Sequence, residues 1–436
     1  MKEIKIGLIG FGTIGTGVAK LLQANAGLIA DKVGAAVTLK KIADLDITTD
    51  RGIELPPGTL TSNVAEVLDD PEISVVIELI GGYEPAKSFV LRAINNGKHV
   101  VTANKALLAL HGEEIYPAAA AKGVEVLFEA AVGGGIPVIS AILGNMAANN
   151  FTTVFGILNG TCNYILTRMT QEGADFADVL KTAQELGYAE ADPTFDIEGV
   201  DTAHKLALLV SLCFGTKVDF NAIHTEGISS ISSVDIGFAR DFGYKIKLLA
   251  IGKRTGDTVE ARVHPTMIPV NYPLADVDGV FNAIRFTGDF IGPVMFYGRG
   301  AGMEPTASAV VGDVIEIARN ILAGVGRRCA PLGYRDEAVT TLALKPMGEI
   351  EGKYYLRFGA VDKPGVLAKI SGALGRYDIS IESMIQKGRS AGESVPIVIM
   401  THEARERDIR AALEEIDTFE LISEKSRFIR IEDNLE

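Results

Sequence analysis

Along the first third of the chain, short unbroken apolar runs alternate with segments whose apolar positions recur every three or four residues. KIGLIG, VTLKKIAD, VVIELIGG, HVVTANK and VEVLFEA read as strands, with helices from Gly15 to about Asn25, over PAKSFVLRAINNG and after Lys105. The strands show no in/out alternation, the pattern of strands buried on both faces. Strand–helix alternation of this kind predicts an α/β fold with a Rossmann-like, doubly wound parallel sheet over residues 1–135. From Ile136 the pattern changes to a helical IPVISAILGNMA, a strand FTTVFGIL, helices near 160–172 and 175–186, and the helix DTAHKLALLVSLCF. Strands near VFNAIRF and IGPVMFYG lead into the loop GRGAGM and a helix near Pro305, a residue suited to a first helical turn. This describes an α+β unit over 136–302, with the helix 303–323 returning to the first domain. Residues 324–352 lose periodicity, collect Gly and Pro, and read as a linker. Residues 353–431 follow in βαββαβ order, a ferredoxin-like module.

A length of 436 residues allows two or three cores, and 47% hydrophobic with 22% charged residues describes a globular chain. The net charge of −14 repels nucleic acid and anionic membrane surfaces alike. The uncharged stretch between Glu129 and Arg168 is cut by glycine, proline and asparagine into pieces too short to span a bilayer. Three dispersed cysteines, Cys162, Cys213 and Cys329, form neither a disulfide framework nor a zinc pattern, and a reducing cytoplasm is expected. Glu3 and the early glycines argue against a signal peptide, so the N-terminus reads as a mature start.

Candidate chemistry begins with Gly10-Phe11-Gly12-Thr13-Ile14-Gly15, a GxGxxG hexamer between a strand and a helix. Its glycines allow a tight turn and close approach of a pyrophosphate to a helix N-terminus, which implies a dinucleotide. Asp44, at the end of the second strand, would accept hydrogen bonds from an adenosine ribose and favour NAD. It lies about 29 residues past Gly15, more than the usual ~20, so the connection must be extended. Lys40 and Lys41 lie close enough in sequence to meet a 2′-phosphate instead, leaving NADP or NAD open. Asp201 and Lys205, four apart on a helix that turns apolar, share one face. They form either an exposed ion pair or a proton-transfer couple at the mouth of a cleft. His204 points elsewhere and reads as a packing or surface residue. Lys105, after a strand end, borders the expected crevice. Glu190, Asp192, Asp196, Glu198 and Asp201 crowd one loop that is either solvated or turned inward to hold a substrate ammonium group.

Together GFGTIG, TANKALLA, EAAVGGGIP, GILNGTCNYIL, LGYAEADPTFDIEGVDTAHKLALL and GRGAGMEPTASAV resemble homoserine dehydrogenase, and VDKPGVLAKIS resembles an ACT domain. The resemblance implies reversible NAD(P)-dependent reduction of L-aspartate 4-semialdehyde to L-homoserine, on the route to threonine, methionine and isoleucine. It implies Lys205 as proton donor, Asp201 as its orienting partner, and Lys105 beside nicotinamide and substrate. Glu190, Asp196, Thr161 and Gly160 would meet the substrate; Phe11, Thr13, Ile14, Thr102, Gly300 and Gly302 would border the cofactor. A monovalent cation, Na+ or K+, is implied at Glu129 and the carbonyls of Val132, Gly134 and Ile136, although Glu129 also reads as an ordinary strand-end carboxylate. A homo-oligomer, dimer or tetramer, and an amino-acid effector at the ACT domain, threonine above all, are expected. On this view a deletion near residue 350 stays active and loses its response to threonine. The alternatives are a non-catalytic amino-acid sensor and a semialdehyde dehydrogenase using Cys162 as nucleophile.

Overall fold

The computed structural model describes residues 2–386 and 394–435. Its first domain is a parallel sheet of β1 (Glu3–Ile9), β2 (Ala36–Ala43), β3 (Leu60–Thr61), β4 (Ile73–Glu78), β5 (His99–Thr102) and β6 (Val126–Leu127), ordered β3-β2-β1-β4-β5-β6. Between strands run α1 (Thr13–Ala24), α2 (Ala26–Val33), α3 (Ala65–Leu68), α4 (Ala86–Asn95) and α5 (Lys105–Lys122). The helix α2 accounts for the long spacing to Asp44. Ile6, Leu8, Val75, Ile77 and Val101 face one core, whereas Val76 and Val100 join another with Val90, Ile94 and Leu107. With both faces covered, the strands need no polar positions.

The middle of the chain supplies α6 (Val138–Leu143), β7 (Phe151–Ile157), α7 (Gly160–Glu172), α8 (Phe176–Glu185), α9 (Thr194–Ile197) and α10 (Val200–Phe214). After them come β8 (His224–Thr225), α11 (Ser233–Asp241), β9 (Tyr244–Thr255), β10 (Thr258–Pro269), β11 (Phe281–Gly288) and β12 (Gly292–Arg299). An antiparallel sheet β12-β11-β7-β9-β10 results. Sequence patterning had passed over its longest hairpin, β9–β10. The helix α12 (Met303–Leu322) then returns to the first domain, where Val310, Val314 and Ile317 share a core with Ile6 and Val18.

The stretch expected to be a linker is instead a packed strap. Its β13 (Ala343–Leu344) pairs with β10, Thr340 bridges Thr216, and the Tyr334 hydroxyl donates to the Cys213 carbonyl at 3.1 Å.

The C-terminal unit comprises β14 (Glu351–Val361), α13 (Val366–Arg376), β15 (Ile381–Gln386), β16 (Ser394–Thr401), β17 (Ala404–Arg405), α14 (Glu406–Ile416) and β18 (Ile422–Ile431). Its sheet order β18-β14-β16-β15 is that of a ferredoxin-like fold, but the module is not free-standing. β18 pairs with β10 through Thr266–Arg430 and Met267–Ile431, joining the two sheets edge to edge. One face of the C-terminal sheet packs on α13 and α14; the other contributes Tyr355, Val398, Met400, Ile429 and Ile431 to the core of the middle domain. Among the described residues no helix is long and apolar enough to cross a membrane.

Candidate active site

A cavity of about 870 Å³ opens where the carboxyl ends of β4 and β5 meet the loops before α7, α10 and α12. Lys105, Glu190, Asp196, Asp201 and Lys205 all line it, although they come from both domains.

Asp201 is the centre of the arrangement. Being in the first turn of α10, it is buried, and its two carboxylate oxygens take one lysine each: Lys105 Nζ at 3.0 Å from Oδ1 and Lys205 Nζ at 2.6 Å from Oδ2. Asn159 Nδ2 donates to Oδ2 at 3.0 Å. Burial disfavours the carboxylate, but Lys205 and Lys105 outweigh it and hold Asp201 well below the usual carboxylate range. Lys205 also donates to the Leu158 carbonyl at 2.7 Å. An ammonium has three N–H donors, so with Asp201 and Leu158 served one remains for a ligand. The reading of Asp201 and Lys205 as an exposed pair is therefore replaced by a buried pair that the half-buried Lys105 joins as a third member.

Of the five loop acids, three line the cavity and two do not. Asp196 accepts from Asn159 Nδ2 at 2.8 Å and from Thr161 Oγ1 at 3.3 Å, and Glu190 is exposed at the rim. Asp192 is taken by Thr194 and Glu198 by Ser229. Gly160 and Thr161 line the floor; a Cβ on Gly160 would stand 2.9 Å from the Val280 carbonyl oxygen, so only glycine fits there. His204 is a packing residue, buried and stacked between Phe220 and Phe195 at centroid separations of 4.1 and 5.6 Å. Cys162 is fully buried with its thiol on the Asp196 carbonyl, and burial, Asp196 and Asp201 push that thiol up, away from a reactive thiolate.

The dinucleotide crevice fits its glycines. Gly10 has φ +98° and lies against the Leu79 backbone, Gly15 packs on the Gly10 carbonyl, and Gly12 faces open space at the uncapped N-terminus of α1. Ile14, Gly300 and Gly302 line the cavity, whereas the Phe11 ring is buried and its N–H already donates to Asp44 Oδ2. Asp44 also accepts from Asp46 N–H at 2.8 Å. The lysines suggested for a 2′-phosphate turn away: Lys40 pairs with Asp70 and Glu72, and Lys41 with Glu66. The cation at this corner is Arg51, whose guanidinium sits 5.0 Å from the Phe11 ring centroid and 3.8 Å from Asp44 Oδ1. It lies eight residues past the end of β2, in a loop that no motif marks.

Thr102 is tied into a closed ring that sequence reasoning missed. The fully buried Glu78 accepts from Ile80 N–H, Gly81 N–H and Thr102 Oγ1 at 2.9, 3.2 and 2.7 Å. Thr102 Oγ1 accepts from Asn104 N–H, and Asn104, which caps α5 by accepting from Leu107 N–H, donates to the Gly82 carbonyl. The ring fixes the two loops beside Lys105.

At the expected cation site, the Glu129 carboxylate accepts from the N–H groups of Ile139 and Ser140 at 2.8 and 2.7 Å, and its carbonyl accepts from Val132 N–H at 3.4 Å. Val132, Gly134 and Ile136 are buried, and the Val132 and Gly134 carbonyls accept no hydrogen bond among the described residues, an oxygen-only set that suits Na+ or K+. Gly134 and Gly300 are in such close backbone contact that a Cβ on Gly134 would stand 2.5 Å from the Gly300 oxygen.

Family models match three stretches of the chain. Residues 137–315 match the homoserine dehydrogenase model, 10–129 its NAD-binding domain and 354–420 the ACT domain. Homoserine dehydrogenases of Neisseria gonorrhoeae and Pseudomonas aeruginosa are 46% and 45% identical, each match covering 99% of both chains. The crystal structure of a homoserine dehydrogenase from Thiobacillus denitrificans superposes with a TM-score of 0.93 at 46% identity, again over 99% of each chain. With a nicotinamide-binding domain, a lysine–carboxylate–lysine cluster in the crevice and full-length likeness of this kind, the chain belongs to the homoserine dehydrogenase family of oxidoreductases.

Proposed function

We propose that the chain interconverts L-homoserine and L-aspartate 4-semialdehyde with NADP or NAD, Lys205 moving the proton. The observation that carries this reading is the Asp201 carboxylate shared between Lys105 and Lys205. A bound nicotinamide would supply or take the hydride at the substrate carbon. In reduction, the remaining N–H of Lys205 donates its proton to the aldehyde oxygen as the C–H bond forms; in oxidation the neutral amine takes the hydroxyl proton as hydride leaves, so two electrons and one proton balance. Asp201 keeps Lys205 aimed by its 2.6 Å contact, and Lys105 adds positive charge near the developing alkoxide. Asp196 and Glu190 provide negative charge for the substrate ammonium, with Thr161 and Gly160 shaping the floor. Asp44 serves a ribose and Arg51 a 2′-phosphate, so both cofactors are accommodated. The Glu129–Ile136 segment holds a monovalent cation beside the Gly300 loop.

The C-terminal unit binds an amino-acid effector, threonine, that feeds back on the reaction. The chain works as a cytoplasmic homo-oligomer. Pairing is supported by the β11–β12 hairpin, where Phe290 is 92% exposed and Ile291, Met295 and Tyr297 stand out beside it. The sensor reading has no observation in its favour, since the cluster and the glycine crevice are complete. The test is initial-rate oxidation of L-homoserine with NAD and with NADP, each with and without threonine. Cofactor-dependent turnover supports the reading; a folded protein that binds cofactor without turning over homoserine refutes it.

A further inference from the structure

The C-terminal unit reaches the middle domain through a charge cluster whose centre, Arg430 and Glu406, is buried. Arg430, near the end of β18, has a side chain only 5% exposed and is gripped from both sides. Its Nε and Nη2 donate to Glu406 at 2.6 and 2.7 Å, and its Nη1 and Nη2 donate to Glu226 at 2.7 and 2.8 Å. Arg410 adds a second positive charge to both carboxylates, so two arginines balance two glutamates. His224, Glu226 and Glu406 bring potential ligand atoms within 4.8 Å, but the Arg430 guanidinium occupies the space a metal would need. Bidentate pairing on both edges fixes direction as well as distance.

The far side of Glu226 lies against the substrate loop. Glu226 N–H donates to the Val263 carbonyl on β10 at 2.8 Å. The next residue, Gly227, comes so close to the loop that a Cβ there would lie 2.2 Å from the Ile197 carbonyl oxygen. Ile228 N–H donates to that same oxygen at 2.8 Å, and Ser229 Oγ donates to Glu198 at 2.7 Å. Ile197 follows Asp196 directly. On the other side Gly199, at φ +81°, packs on Thr225 and Val263 and starts the helix carrying Asp201.

We propose that Arg430, from the C-terminal unit, is a positioning residue for the substrate loop, acting through Glu226 on the backbone between Asp196 and Asp201. This rests on the reading of Asp196 as a residue that holds substrate. The glycine crevice that takes the cofactor lies on other elements, so loosening the cluster affects homoserine and leaves the nicotinamide cofactor alone.

The test uses the full-length enzyme and the near-isosteric Glu226→Gln, which keeps the side-chain shape but removes the charge that Arg430 grips. Loss of a charge-assisted contact predicts a rise of about tenfold in KM for L-homoserine, with KM for cofactor within about twofold. Amides of residues 196–200 should also exchange faster with deuterium. Gly227→Ala, which presses a Cβ directly on the Ile197 carbonyl, should give the same selective pattern. Lys253→Met serves as the control, because it breaks a different ion pair to the C-terminal unit, Lys253 to Glu432 at 2.6 Å, without touching the loop; its homoserine KM should match the parent's. Unchanged kinetics and exchange in Glu226→Gln, or an equal rise in Lys253→Met, would overturn the proposal. If the parent itself fails to oxidise homoserine, the functional reading falls, and exchange at 196–200 still decides whether Glu226 positions the loop.

Discussion

Cutting the chain after residue 350 is the perturbation on which sequence and structure disagree most. A free module on a linker could be removed with only a loss of regulation. In the structure the cut removes Tyr355, Val398, Met400, Ile429, Ile431 and Leu435, each 6% exposed or less, from cores shared with Leu248, Val263, Met267, Phe155 and Ile268. Burying such a side chain is worth roughly 1.5–3 kcal/mol, so six of them represent on the order of 10 kcal/mol, an upper figure because unfolded chains bury some surface too. The cut also strips Asp235, 2% exposed, of Tyr355 and Arg357, which donate to it at 2.9 and 2.7 Å. Breaking a buried pair costs about 3–5 kcal/mol more. A typical domain is stable by only about 5–15 kcal/mol, so the shortened protein should be unfolded or aggregated at 25 °C. Circular dichroism melts, size-exclusion chromatography and homoserine oxidation on both lengths check this. A soluble 1–350 fragment that melts cooperatively within about 5 °C of the full chain and keeps its turnover would refute the reasoning, because such a shift corresponds to only about 1–2 kcal/mol.

Three further outcomes are expected. Lys205→Met should lower kcat about a hundredfold to ten-thousandfold while cofactor still quenches or shifts fluorescence on binding; turnover near the parent's would remove Lys205 from proton transfer. Arg51→Ala should raise KM for NADP about tenfold and leave NAD nearly unchanged, and parallel changes with both cofactors would show that Arg51 does not read the 2′-phosphate. Burial pushes His204 down to about 4 from 6.5, so between those values the unfolded chain takes a proton that the folded chain refuses, and stability falls as pH falls. At about 1.4 kcal/mol per tenfold this group accounts for about 3 kcal/mol, so urea titrations of His204→Phe between pH 7 and 4 should lose that much less than the parent; equal losses would contradict the buried-neutral assignment.

Much of the fold was legible because its signals are local. Unbroken apolar strands separated by amphipathic helices announce a doubly covered sheet, and the glycine hexamer follows the first strand directly. The order βαββαβ was likewise readable after residue 353. The β9–β10 hairpin was passed over although Lys245 and Lys247 alternate with Ile246 and Leu248, and Lys247 is itself buried, bonding the Val277 carbonyl at 2.6 Å. A lysine that burrows to a loop carbonyl looks like a surface residue in sequence. The docking of the C-terminal unit was hidden for a similar reason: only two residue pairs join β10 to β18, and no local pattern marks them. Glu78 bonds Thr102 from another strand, and Arg51 sits in a patternless loop against the Phe11 ring, so their roles appear only once the chain is folded.

The cluster at Asp201 shows what long-range assembly adds to a motif. The i,i+4 spacing placed Lys205 beside Asp201 on α10, but Lys105 stands at the first position of α5, in the other domain. The two helices are held together by a common core that includes Leu107, Leu108, Ala207 and Leu208. A carboxylate with one lysine on each oxygen therefore does two things at once. It offsets the repulsion between two neighbouring ammonium groups, and it ties α10 of the middle domain to α5 of the first. On the proposed function, hydride chemistry would belong to the first domain and proton transfer to the second, and both would meet at one carbon–oxygen bond. Asp201 is the point at which that register is set, so Asp201→Asn, which keeps the shape and drops the charge, should lower kcat more than it raises either KM; a change confined to homoserine KM would instead assign Asp201 to substrate binding alone.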